Sequence, residues 1–246
     1  VTGTGRVELL DAPRIRLVET AAPGLSPAHR SAMDRRWEEA VRANPALFDG
    51  PVAALTGLER DGRDGLVLSW ARATYRYRAL RGVPDAPAVA SLFVSVLQPS
   101  EDGRLLVGRM ASSTVAPGRW QLPGGTVEPP DGDAGLDLDG LRRHAARELA
   151  EETGSTAAAG SLTRWLTTRG VRGSVGVMFL APACPAGELL DRYARLVSTE
   201  TGQGREPEFD RIALIRPTAG PAELDGPHVD YLAPVVRRYA DTAARA

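Results

Sequence analysis

Eight consecutive residues, Arg147-Glu148-Leu149-Ala150-Glu151-Glu152-Thr153-Gly154, restrict this chain more than any other part of it. On an α-helix, at roughly 100° per residue, Glu148, Glu151 and Glu152 stand at i, i+3 and i+4 and share one face. Like charges so spaced destabilise a bare helix by about 0.2–0.5 kcal/mol per pair, so something cationic is expected among them. A donor set made only of carboxylate oxygens suits a hard divalent ion, Mg²⁺ or Mn²⁺. Leu138, Leu141, Ala145 and Leu149 fall on an arc beside the glutamates and are expected to face the core. The pattern predicts a helix over residues 139 to 153, capped by Asp139 at its start and ended by Gly154.

Ahead of that helix stands Trp120-Gln121-Leu122-Pro123-Gly124-Gly125. Together the two segments resemble the box of the Nudix hydrolases: glycine, five residues, glutamate, seven residues, then Arg-Glu-aliphatic-any-Glu-Glu-any-Gly-aliphatic. Arg147 to Gly154 matches at every fixed position, and Ser155 replaces the final aliphatic. Asp139 takes the place of the first glutamate but lies fourteen positions after Gly125, where the family has six. The extra residues fall in 128 to 138, rich in Pro, Gly and Asp, and read as an enlarged loop. The resemblance covers about residues 88 to 217 and implies a Nudix-type α/β/α sandwich. It also implies metal ligation by Glu148, Glu151 and Glu152, with Arg147 holding the carboxylates as a bidentate partner and bracing the glycine loop.

A second resemblance lies in residues 30 to 80. Trp37, then Asn44-Pro45-Ala46-Leu47-Phe48-Asp49-Gly50-Pro51, then Thr74-Tyr75-Arg76-Tyr77, is similar to the extension of Nudix members that hydrolyse UDP-glucose and UDP-galactose. It implies a UDP-sugar substrate cut to UMP and a sugar 1-phosphate. Hydrolysis of ADP-ribose or a dinucleotide is the alternative within the same chemistry. A nucleotide-binding module without turnover is the alternative of another class, although such modules usually lose a box glutamate and this chain keeps three.

Gly-Val-Pro-Asp-Ala-Pro at 82 to 87 breaks the pattern, dividing an N-terminal α+β extension, residues 1–86, from the main domain, residues 87–246. In the first part, residues 6 to 10 and 15 to 18 read as strands. Residues 26 to 44 read as a helix with Ser26 as cap and Pro27 at its first position. Strands are expected at 52 to 58 and 66 to 78, joined through a turn-rich 59 to 65. In the second part, 88 to 97 and 104 to 109 read as a hairpin across 99 to 103. Strands follow at 162 to 168, 174 to 180 and 209 to 215, with helices at 188 to 197 and 228 to 244. Strands mixed with helices on both sides give an α/β class.

At 246 residues the chain can bury a large core. Its net charge of −1 gives no electrostatic case for nucleic acid as a partner. All thirty basic residues are arginine, which suits phosphate through its planar fork, although only a few are needed for that. The single cysteine, Cys184, fits a reducing compartment and reads as structural. Neither a membrane-spanning run nor a secretory signal is evident, so a cytoplasmic location is expected. Three scattered histidines offer no zinc pattern, His144 reading as a spacer in the helix.

Cleaving a phosphoanhydride requires charge neutralisation and a positioned water. Gly124 and Gly125 would let the backbone approach helix and ion closely. Glu206 and Glu208, just before the strand at 209 to 215, are candidates for the general base, with Glu152 as the candidate inside the box. Tyr75 and Tyr77 alternate with Arg76 and Arg78. On a strand the two rings would share a face, packing in the core or stacking on a base. Arg119 is a candidate phosphate contact. The small-molecule partner is thus a nucleoside diphosphate compound, and the family resemblance allows a homodimer.

Overall fold

The computed structural model describes residues 5–244 apart from 46, 88 and 133. Strands β1 (Glu8–Leu10) and β2 (Arg14–Glu19) precede helix α1 (Pro27–Ala43) and the hairpin of β3 (Pro51–Asp61) and β4 (Gly65–Thr74). Next come β5 (Ala90–Leu97), β6 (Leu105–Met110), β7 (Trp120–Gln121), α2 (Leu138–Thr153), β8 (Thr163–Arg169) and β9 (Val175–Leu180). Helix α3 (Ala186–Gly202), β10 (Phe209–Ile215) and α4 (Leu232–Ala243) complete the chain. The first residue of the strand expected at 88 to 97, Ala88, lies outside the described residues.

Among the described residues, seven strands form one sheet in the order β1-β8-β9-β5-β3-β4-β2, and β10-β6-β7 form a second. The N-terminal strands are therefore part of the main sheet: β1 pairs with β8, and β3 with β5 through Ala54 and Leu55. Along β9 the side chains alternate between two cores. Val175, Val177 and Phe179 pack with Leu141, Ala145 and Leu149 of α2, while Met178 joins Trp120, Leu122, Leu232, Val235 and Val236 on the other face. The architecture is mixed α/β, with α2 on one face of the large sheet and the small sheet and α4 on the other. Each fully buried leucine of α2 contributes about 1.5–3 kcal/mol, which is what holds a helix bearing three clustered glutamates in place.

Several local expectations needed correction. Ser26 does cap α1, accepting from His29 N at 3.1 Å. The cap of α2 is Asp137, whose side chain accepts from Gly140 N at 2.6 Å; Asp139 sits in the first turn and pairs with Arg142. Residues 75 to 80 form a 3₁₀ turn, Tyr75–Leu80, where a continued strand is expected from the Tyr-Arg alternation. The expected 99 to 103 hairpin closes locally, with Ser100 N on Arg104 O at 2.8 Å, but β5 and β6 then diverge into different sheets. Helix α3 is longer than the expected 188 to 197, and α4 starts at Leu232 because His228 is drawn into a bridge with Trp120.

From Pro130 on, the enlarged loop is anchored to the N-terminal strands. Arg72 on β4 pairs with Glu19 on β2 at 2.8 Å and donates to the carbonyls of Pro130 and Ala134 at 2.7 and 3.0 Å. Leu136 is buried in the core beside α2. The loop thus packs on the N-terminal strands.

Candidate active site

Residues 123 to 127 run beside β5. Val96 N donates to Pro123 O at 2.7 Å, Val94 N to Gly125 O at 3.0 Å, and Val127 N to Leu92 O at 3.0 Å. Between these bonds Gly124 adopts φ +150°, a conformation essentially confined to glycine. A Cβ at Gly124 would fall on the Val94 carbonyl oxygen and on Ser95, and one at Gly125 would fall on the Glu148 carboxylate. The glycine pair therefore allows the loop and α2 to touch.

That contact is polar. Glu152, buried to 1% exposure, accepts a hydrogen bond on Oε2 from Gly124 N at 2.6 Å, and its Oε1 is buried with no partner among the described residues. Burial first, then the neighbouring Glu208 and Glu148, push the Glu152 carboxyl well above the ordinary carboxylate range; the Gly124 bond opposes this only in part. Glu151 is also raised, by lost hydration and by Glu148, with Arg147 pulling the other way. Glu208 keeps solvent contact by surface area, yet the surrounding walls strip enough water to raise its carboxyl, and Glu148 and Glu151 raise it further. Four carboxylates on two elements thus repel one another at one place.

Arg147 reaches this group differently from the fork expected of it. Its Nη2 donates to His144 Nδ1 at 2.7 Å and lies 3.4 Å from Glu128 Oε2, while its Nε is 3.9 Å from Glu151 Oε1. A guanidinium has no acceptor, so His144 Nδ1 must be the unprotonated nitrogen and Nε2 carries the proton. Nε2 stands 3.0 Å from Glu148 Oε1, without the alignment of a full hydrogen bond. His144 therefore links Arg147 to Glu148. Sequence reasoning treated it as a spacer and passed over Glu128, although a histidine four residues before Glu148 and a glutamate three after Gly125 carried the signal. Tyr231 was missed too: buried, its hydroxyl 3.3 Å from Ser95 Oγ behind the glycine loop, it is held neutral by that burial.

Gly124, Gly125 and Glu208 open on a cleft of about 830 Å³ that is also lined by Arg119 and Tyr75. The size falls in the range of small-molecule sites. Tyr77 lines a separate, smaller pocket beside Ala53 and Thr74, because in a 3₁₀ turn residues two apart point in different directions. Arg78 covers one face of Tyr75, its Cζ 4.6 Å from the ring centroid. Glu206 is exposed and accepts from Ser112 Oγ at 3.4 Å. Of the two candidate bases outside the helix, Glu208 is the one brought to the glycine loop.

The residues fit a hard divalent cation. Their donors are all oxygens, Glu152 Oε1 is buried and unpartnered among the described residues, and the mutual repulsion of Glu148, Glu151, Glu152 and Glu208 is of the kind that a cation relieves. Among the described residues no three His, Cys, Asp or Glu side chains already stand in a ligating arrangement. Each carboxylate instead turns to its own neighbour: Glu148 to His144, Glu151 to Arg147, Glu152 to Gly124. No helix among the described residues is long and apolar enough to cross a membrane.

A family model described as "NUDIX domain" matches residues 89–238. Among curated proteins there is no match. Solved structures that match this chain include the MutT protein from Methanosarcina mazei Go1, with 17% identity over 63% of this chain and 95% of that one and a TM-score of 0.40. Another is the NUDIX domain of Shewanella oneidensis NrtR complexed with ADP ribose, at 17% identity over 68% and 97%, TM-score 0.42. A NUDIX hydrolase from Nitrosomonas europaea matches at 14% identity over 63% and 90%, TM-score 0.37.

Proposed function

The chain belongs to the Nudix hydrolase family, and on that premise we propose that it is a metal-dependent pyrophosphohydrolase of a nucleoside diphosphate linked to a second group, X. The observation that carries this reading is the contact of buried Glu152 with Gly124 N, inside a group of four mutually repelling carboxylates that borders a substrate-sized cleft. Glu148, Glu151 and Glu152 would hold Mg²⁺ or Mn²⁺. When bound, the ion supplies charge neutralisation to the diphosphate and acidity to a coordinated water. Arg147 and His144 orient Glu148, and Gly124 and Gly125 bring the backbone up to the substrate. Arg119 meets the phosphates from the cleft wall, and Tyr75, with Tyr77 in the smaller pocket beside it, is carried as a candidate contact of the substrate beyond the diphosphate. The oxygen of water attacks one phosphorus, the bridging P–O bond breaks, and the proton passes to a carboxylate.

Glu208 suits that last role. Its raised affinity for a proton brings it nearer the working pH than an ordinary glutamate, and it lines the cleft beside the glycine loop. Glu208→Gln is expected to lower kcat by roughly 10²-fold with little change in KM, since it removes proton transfer and leaves binding. Equal kcat in variant and parent would return the role to Glu152 or Glu206.

For the substrate, the 30 to 80 resemblance favours a UDP-sugar, giving UMP and a sugar 1-phosphate. Residues 1–86 are then an extension that completes the cleft of a Nudix unit, residues 87–246, acting in the cytoplasm. The alternative substrate, ADP-ribose, is the ligand of the NrtR structure, but a likeness at TM-score 0.42 does not choose between the two. Steady-state kinetics with UDP-glucose and ADP-ribose as competing substrates decides it. The proposal expects a kcat/KM for UDP-glucose about tenfold or more above that for ADP-ribose. The reverse order would move the assignment to ADP-ribose.

A further inference from the structure

One end of the cleft is basic for reasons the reaction above does not use. Tyr75, Arg78 and Arg81 are spaced by three, and in a 3₁₀ turn residues three apart eclipse. The turn thus stacks Tyr75 and Arg78, Arg81 follows as its C-terminal cap, and all three line the cleft. Arg76, in a different column, is satisfied by Asp34 and Asp49 at 3.0 and 3.1 Å. Arg81 instead donates to Ser91 Oγ at 3.2 Å, and Arg78 lies on the Tyr75 ring. Arg172 joins them from the turn between β8 and β9, which Asp230 fixes by accepting from Val171 N at 3.1 Å.

Among the described residues, Arg78, Arg81 and Arg172 have no carboxylate in ion-pair contact, whereas twelve other arginines do. Partial burial, then the charges of Arg78 and Arg172, loosen the proton of Arg81, so the three cations that line this end of the cleft stand near enough to repel. Such an arrangement costs folding energy unless an anion occupies it. It is also distant from the glutamates. Arg81 is bonded at Ser91, three residues along β5 from Val94, the strand partner of Gly125, a separation of about 10 Å.

We propose that Arg78, Arg81 and Arg172 form an anion subsite that takes a carboxylate or phosphate carried on the X group of the substrate. This rests on the hydrolase reading for the position of the diphosphate at the glycine loop. With the diphosphate there, an anion about 10 Å further along β5 belongs to another part of the molecule, so the preferred X group is acidic and not a neutral hexose. Planar guanidiniums supplied to one cleft from two elements suit the oxygens of either acid through bidentate bonds.

Calorimetric titration of the full chain in EDTA, where turnover is prevented, tests this with two pairs of ligands: UDP-glucuronate against UDP-glucose, and ADP-ribose 1″-phosphate against ADP-ribose. The acidic member of one pair is expected to bind about tenfold or more tightly than its neutral partner. Preference in the first pair identifies a carboxylate, and in the second a phosphate. Arg172→Ala, in an exposed turn, should cut that preference to about threefold or less, while Arg195→Ala on α3, which removes the same charge elsewhere, should leave it. Absence of preference in both pairs, or a preference that the two variants change equally, overturns the subsite. Preference without turnover on adding Mg²⁺ would retain the subsite and remove the hydrolase reading; turnover without preference would do the opposite.

Discussion

Glu152→Gln is expected to lower kcat for a nucleoside diphosphate substrate by roughly 10²–10⁴-fold while the protein stays folded. The amide oxygen can keep the bond from Gly124 N, so the loop holds its shape, but the negative donor is gone. The same substitution should stabilise the metal-free protein at neutral pH. The Glu152 proton is held more tightly in the folded state than in the unfolded chain, where the carboxyl titrates near its ordinary value of 4.5. Below that value both states are protonated and nothing is lost. As pH rises above it, the unfolded chain releases its proton while the fold retains it or pays to bury a charge, so stability falls until the folded pKa is passed. Each unit of that difference is worth about 1.4 kcal/mol. Urea unfolding in EDTA from pH 4 to 8 should therefore show the parent losing stability relative to Glu152→Gln as pH rises. Parallel curves, or a variant with undiminished kcat, would remove Glu152 from the site.

Gly124→Ala should be the most destabilising small substitution in the glycine loop, by roughly 3–5 kcal/mol. Two independent costs add. The φ of +150° is strained for any residue with a Cβ, and that Cβ would meet the backbone of Val94 and Ser95, which cannot swing aside as a side chain could. Nor can the loop retreat, since Pro123 O and Gly125 O are both bonded to β5. A loss of this size is a large fraction of an ordinary domain's stability of about 5–15 kcal/mol. Denaturant midpoints compare the variant with Gly132→Ala, a glycine in the enlarged loop with open space around it, which should lose far less. Equal losses would mean that the loop is not packed against β5 in solution.

The box helix was legible in the sequence because its two signals, an apolar arc and a glutamate face, share one period, and both faces have only one possible use each. The 3₁₀ turn was not. Tyr75-Arg76-Tyr77-Arg78 alternates with period two, which reads as a strand; what ends β4 at Thr74 is tertiary, with Arg76 N and its guanidinium both drawn to Asp49 across the chain. The cap was misplaced by two residues because Asp137 and Asp139 are equally good caps, and the family spacing drew attention to the second. The destination of the enlarged loop depends on Arg72, fifty-eight residues away from Pro130, a contact no local pattern encodes. His144 was passed over for a different reason: its partners Arg147 and Glu148 already had roles assigned, and only the geometry shows that the histidine joins them.

The central claim, that the carboxylates and the glycine loop bring water to a phosphoanhydride, is tested most directly by ³¹P NMR of the protein with Mg²⁺ and UDP-glucose in ¹⁸O-labelled water. The account predicts loss of the diphosphate resonances, appearance of UMP and glucose 1-phosphate, and an isotope-shifted signal on one of the two products, abolished in Glu152→Gln. An intact diphosphate for UDP-glucose, for UDP-glucuronate and for ADP-ribose alike, in protein that demonstrably binds Mg²⁺, would contradict it and leave a nucleotide-binding module in its place.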